Sequence, residues 1–337
     1  MFRFLLVLAI SLNLAIQPFA LGSKDSVKET SQAEVTTDKA MVLKTAAIKG
    51  PTGLGMIYLF ENPPLLAQNA SVKTEALASA DAMAAKMLSG EVDIALLPVN
   101  MAAKLYNSGL DYRLLAVVGN GMFKILSADT SIKAVGDLKG KELYIAGQGA
   151  TPDFLLRSIL PAYGIKPEQD IKLVYNMAAP EIAASLIAGR VRHAVLPEPF
   201  ATMAMLGNPE VKVAMDLSKL WEAYSGQNDY PVSVVVIKSS IIADRPKAVS
   251  GFMDAYKASI DAVMANPIEA GQLAEKHDLG LKADIAAKAI PECAFTFIKA
   301  PEAKASIEAL LSIFLKAAPV SVGGKLPDEG FYVQLQN

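Results

Sequence analysis

The feature that most constrains this chain is an internal repeat. Gly90 lies over Gly189, a shift of 99 positions, and under that shift the segment Ser89-Gly90-Glu91-Val92-Asp93-Ile94-Ala95-Leu96-Leu97-Pro98 meets one that runs from Ala188 to Pro197. The same shift lays Ala47-Ile48-Lys49-Gly50-Pro51-Thr52 over Ala146-Gly147-Gln148-Gly149-Ala150-Thr151 with no gap between the two matches, and brings the helical stretches 82–88 and 181–187 into register. In each copy a short apolar strand is followed by a glycine-containing loop and an alanine-rich helical stretch, the signature of an α/β sheet with crossover helices. Two such units make a two-lobed α/β protein, each lobe a sheet flanked by helices. The loops at the carboxyl ends of the strands then face a shared cleft.

Residues 1–22 read as a secretory signal: Arg3 precedes an apolar run too short to span a membrane, and Ala20-Leu21-Gly22 offers a cleavage site. Residues 23–40 are polar, short of aliphatics and read as a flexible leader. The pattern then predicts strands over 42–48, 71–77 and 92–97, and strands 113–118 and 123–126 that close the first lobe. The second lobe opens at Val135-Gly136-Asp137-Leu138-Lys139-Gly140, and the apolar strand 231–238 is suited to return to the first sheet. Helices over 246–264, 267–276, 283–289 and 303–317 finish that lobe. The expected domains are therefore 41–128 with 230–337 for the first lobe and 129–229 for the second, hinged near 124–134 and 226–233.

A net charge of −2 over 337 residues gives no field that would gather nucleic acid, and no basic block is present. The one cysteine, Cys293, cannot form an internal disulfide and is expected to pack among helices; no cysteine near residue 22 is available for lipid attachment, so the expected product is exported, soluble and periplasmic. Gly147-Gln148-Gly149 invites a dinucleotide reading, but Pro152 stands at the third glycine position. His193 and His277 lie far apart in sequence with no cysteine beside them, so no metal and no cofactor is expected.

Ligand chemistry belongs in the loops. A small-residue loop before a helix presents free N–H groups to an anion or a carbonyl, which nominates Lys49, Gly50, Pro51 and Thr52 in one lobe and Gln148 and Thr151 in the other. Thr52 and Thr151 could instead serve as helix caps. Ser79, Asn100, Asn120, Glu198 and Tyr230 stand at strand ends; Asn100 and Gln148 can each donate and accept. Glu198 is open to two partners: a ligand amine or ring N–H, or a structural salt bridge with Lys49 or Arg192.

Several segments together resemble the periplasmic binding proteins of the nitrate, sulfonate and taurine type, which share a fold with thiamine-precursor binders. They are the loop 49–53, Gly90-Glu91-Val92-Asp93-Ile94-Ala95, Asp137-Leu138-Lys139-Gly140-Lys141, Gly189 with Leu196-Pro197-Glu198-Pro199-Phe200, Asn228-Asp229-Tyr230-Pro231, and a late helix holding Phe252, Tyr256 and Asn266-Pro267. The resemblance covers most of residues 41–337. It implies a type II periplasmic binding protein fold, a monomer whose lobes close on a sulfonate, nitrate, taurine, pyrimidine or small aromatic acid, and delivery to the permease and ATPase of an ABC transporter. It also brings an alternative, since enzymes acting on chorismate-derived or pyrimidine compounds share the fold. Export argues against them, and a single cysteine does not match the cysteine-rich motif of the pyrimidine-forming relatives.

Overall fold

The structure, a computed structural model, describes residues 39–335; the signal segment and most of the leader lie outside the described residues. The strands are β1 (Met41–Ile48), β2 (Leu65–Leu66), β3 (Ala70–Leu77), β4 (Ile94–Pro98), β5 (Tyr112–Gly119), β6 (Phe123–Ser127), β7 (Glu142–Ile145), β8 (Lys172–Val174), β9 (His193–Pro197), β10 (Lys212–Asp216), β11 (Ser233–Lys238) and β12 (Phe295–Lys299). They form two sheets, in the orders β12-β5-β11-β4-β1-β3-β2 and β10-β6-β9-β7-β8. The early helices are α1 (Pro51–Leu54), α2 (Ile57–Glu61), α3 (Ala80–Leu88), α4 (Val99–Asn107), α5 (Thr151–Ala162), α6 (Ala179–Ile187), α7 (Phe200–Gly207) and α8 (Leu217–Ser225). The late ones are α9 (Ser239–Asp244), α10 (Pro246–Ala265), α11 (Pro267–Lys276), α12 (Ala283–Ala289) and α13 (Ala300–Ala317).

The repeat is built into the fold. Adding 99 to the bounds of α3 and β4 gives those of α6 and β9. In each sheet the three repeat strands run parallel in the same order, β4-β1-β3 in one and β9-β7-β8 in the other. Each trio is extended by an antiparallel strand, β11 against β4 and β6 against β9, and beyond these lie β5 and β10. Strands β4, β9 and β11 are apolar and buried along nearly their whole length, because helices cover both faces of each sheet.

Phe123 to Leu126, expected in the first lobe, therefore belong to the second sheet. The chain crosses at residues 120–122 rather than at 124–134. Two adjacent apolar strands separated by a glycine turn read as one hairpin, and nothing local says that β6 fills the place in its sheet that β11 fills in the other. The return crossing runs from Asp216 through α8 to Ser233. Helices α10 to α13 match their expected spans closely, whereas β12 was not anticipated; it pairs antiparallel with β5 at the sheet edge. Cys293 is buried in a cluster with residues of α1, α2, α10, α11 and α12, as its isolation suggested. No helix among the described residues is long and apolar enough to cross a membrane.

Candidate ligand-binding cleft

Strand direction decides which loops meet. In the first sheet β1, β3, β4 and β5 end on one edge, and β11 and β12 begin there. In the second sheet β7, β8, β9 and β10 end on the edge where β6 begins. Only residues 120–122 separate the end of β5 from the start of β6, so the two carboxyl edges confront each other across that crossing. Every loop nominated from the sequence sits on one of these edges or in a crossing.

The crossing is held from both sides. Asn120 N–H donates to Ala294 O, Gly121 N–H to Asp229 Oδ1, and Glu198 N–H to Met122 O. A Cβ on Gly121 would lie 2.4 Å from both Ser218 Oγ and the Tyr230 ring, so glycine is the only residue this close approach admits. Tyr230 is wholly buried beside Trp221, and Asn120 lines a hollow of about 410 Å³ with residues 226–229. Thr52 reaches toward Ser233, Oγ1 to Oγ 3.5 Å, in a closed hollow with Met122, Tyr256 and Phe295 that has no room for a water molecule. Met122 lines this hollow and bonds the Glu198 backbone, so Pro51, Thr52, Asn120, Glu198 and Tyr230 are gathered around one crossing. The other nominated residues sit farther out. Asn100 is half-buried in the first turn of α4, Gln148 is exposed on the loop after β7, and Ser79 is an exposed N-cap whose Oγ accepts the Ala82 N–H.

A cavity of about 570 Å³ lies on the second-sheet side of the crossing between Glu198, Lys124, Asp216 and Glu292. Glu198 is completely buried. Its Oε2 accepts the Thr202 N–H at 3.0 Å, and its Oε1 has no hydrogen-bond partner. Burial pushes its carboxyl above the ordinary range, while Thr202 and the Lys124 ammonium act against that rise. Neither salt bridge expected for Glu198 forms: Lys49 Nζ is 2.6 Å from Asp278 and Arg192 is exposed. Lys124 binds Asp216 at 2.6 Å and approaches Glu292 at 3.6 Å.

The two loops nominated for anions are built differently from the expectation. The helix after Gly50 is a four-residue turn, and the Gly50 N–H is taken by Leu279 O. The threonines are not caps: Thr52 lies inside α1, and Thr151 is the first residue of α5, whose N-cap is Ala150. At α5 the helix N-terminus already has its anion, because Asp153 Oδ2 accepts the Gly149 N–H at 2.8 Å. Asp153 Oδ1 in turn accepts from Arg157 Nε at 2.7 Å and from the Tyr175 hydroxyl at 2.6 Å. A short helix leaves few aligned peptide dipoles, and a built-in carboxylate repels a second anion.

Residues 65–276 match the sequence profile of the NMT1-like family. This chain belongs to that family. No curated protein matches it by sequence. Among solved structures it is similar to an ABC transporter protein from Parabacteroides distasonis, with 29% identity, 88% of this chain and 99% of that one covered, and a TM-score of 0.77. It also shares its fold with the periplasmic aliphatic sulphonate binding protein SsuA from Escherichia coli, at 18% identity, 88% and 94% coverage and a TM-score of 0.66. The periplasmic nitrate-binding protein NrtA from Synechocystis gives 15% identity, 84% coverage of both chains and a TM-score of 0.59. The NMT1-like chain is thus a two-lobed α/β protein of the periplasmic binding protein fold.

Several residues of this NMT1-like cleft carried no sequence signal. Lys124 looks like an ordinary polar position on a strand, and Glu292 lies in a short turn between the expected helices 283–289 and 303–317. Asp229, which ties Gly121 to the crossing and whose carboxyl burial raises, was visible only as part of the family-like run Asn228-Asp229-Tyr230-Pro231. The histidines sit away from this machinery: His193 Nδ1 is 3.0 Å from Ser127 Oγ, and His277 pairs with Glu61.

Proposed function

We propose that the chain is the solute-binding component of an ABC importer, with lobes 41–119 plus 233–335 and 123–216 closing on a small polar ligand that it carries unchanged to a membrane permease and its ATPase. The single observation that carries this reading is the confrontation of two carboxyl strand edges across a three-residue crossing. That arrangement suits hinge closure over a trapped ligand. An affinity near 1 μM needs about 8 kcal/mol net, which a few buried hydrogen bonds and some apolar contact supply. The family match and the similarity to an ABC transporter protein support the same conclusion, and export to the periplasm and a monomeric state go with it. Cys293 gives the enzyme alternative no help, since burial pushes its thiol up and away from the reactive thiolate.

Two measurements on protein purified without denaturation test this reading. Native mass spectrometry should find a retained small molecule, and adding that molecule back to stripped protein should raise the melting temperature and reduce the radius of gyration. Conversion of the compound to a released product overturns the proposal.

A further inference from the structure

The repeat contains an internal control for Glu198. Under the shift of 99, Glu198 corresponds to Val99, the residue after Pro98 as Glu198 is the residue after Pro197. Both are completely buried, and both donate their backbone N–H across to a crossing segment, Val99 to Val232 O and Glu198 to Met122 O. Burial is common to the two places, and valine meets that need in the first half; in the second half one carboxylate oxygen also accepts the Thr202 N–H in the first turn of α7, which accounts for Oε2 but not for Oε1. In the second half the place holds a carboxylate with an unpartnered oxygen, and Glu198 lines the cavity of about 570 Å³ at the junction of the sheets. An unmatched buried carboxylate is costly, and the most effective offset is a charge-assisted hydrogen bond from a cation.

The surroundings favour the same ligand sign. The cavity is lined by three carboxylates, Glu198, Asp216 and Glu292, against the ammonium groups of Lys124 and Lys219, and Lys124 is held by Asp216. The helix N-termini that could have received an anion are a four-residue turn on one side and a helix already satisfied by Asp153 on the other. The sulphonate- and nitrate-binding structures share only the fold at 18% and 15% identity.

We infer, building on the importer reading, that the cleft accepts a small ligand bearing a cationic nitrogen donor, an ammonium or amidinium group, which binds Glu198 Oε1. Binding holds Glu198 ionised, so proton loss from Glu198 accompanies it. The charged and titratable groups facing Glu198 are Lys124 on β6, Asp216 on β10, Lys219 on α8, and Glu292 with Cys293 in the turn after α12. Lys124 and Asp216 are paired, which leaves Glu198 as the group whose protonation the ligand senses most directly.

The test uses ethylammonium, guanidinium and benzamidinium with the matched anions ethanesulfonate, nitrate and benzoate, each titrated into ligand-stripped protein by calorimetry and thermal shift between pH 5 and 7.5. At least one cation should bind, more tightly as pH rises. Glu198→Gln, which keeps an acceptor for the Thr202 N–H, should weaken it by about 10- to 100-fold and flatten its pH dependence. If that variant does not fold, the pH slope of the wild-type protein decides alone: a flat or reversed slope overturns the inference. Binding of an anion with every cation silent overturns it while leaving the importer reading intact. Silence from all six probes overturns it as well, and the importer reading then falls only if native mass spectrometry also finds no retained ligand.

Discussion

Val99 and Glu198 stand at matched places in the two halves of the molecule, and the difference between them separates what the fold needs from what the site needs. The first place closes the first sheet with a hydrocarbon that asks nothing more of its neighbours. The second closes its sheet, accepts the Thr202 N–H of α7 with one carboxylate oxygen and leaves the other without a partner. The glycine loops diverge in the same way. After β1 the chain makes a single tight turn whose Gly50 N–H goes to Leu279 O, whereas after β7 it enters a twelve-residue helix whose first turn is closed by Asp153. The same scaffold recurs in both halves, and the two differ at their strand ends.

Making the halves alike in the wrong direction should have the largest effect. Val99→Glu buries a carboxylate within the apolar cluster that holds Val99, and it is expected to lower unfolding free energy by about 3–5 kcal/mol in urea titrations. A loss below 1 kcal/mol, order of magnitude, would mean that the first edge is wet and would erase the contrast. Next, Asp153→Ala removes the acceptor shared by Gly149, Arg157 and Tyr175, with an expected cost of about 1–3 kcal/mol. Amide exchange should then quicken at residues 147–150 and stay unchanged at 49–53; equal quickening in both loops would show that they are coupled.

The smallest effect concerns acidity. Glu198→Val makes the second half resemble the first. Because burial holds the Glu198 carboxyl above its ordinary 4.5, the folded apo protein keeps that proton to higher pH than the unfolded chain does. Its contribution to stability is therefore most favourable in acid and is lost as pH rises through the raised value. The stability of the valine variant relative to wild type should accordingly rise from pH 4.5 toward neutrality, read from paired urea curves without ligand. A relative stability that falls over that range would mean that Glu198 is paired rather than stranded.

Periodicity and the repeat were enough to determine the two α/β units, most of the helices after β11 and the set of loops at the strand ends, because hydrophobic pattern and glycine turns act within a few residues. They also put Glu198 and Gly147 to Thr151 among the candidates. What only the tertiary structure decided is which sheet β6 joins, that Lys124, Asp216 and Glu292 surround Glu198, and that Asp153 occupies the helix end nominated for an anion. Strand pairing and charge environment depend on residues far apart in the chain, and a side chain's burial and partners follow from that packing rather than from its neighbours in sequence. The same Pro-x register therefore holds a satisfied valine in one half and a waiting carboxylate in the other.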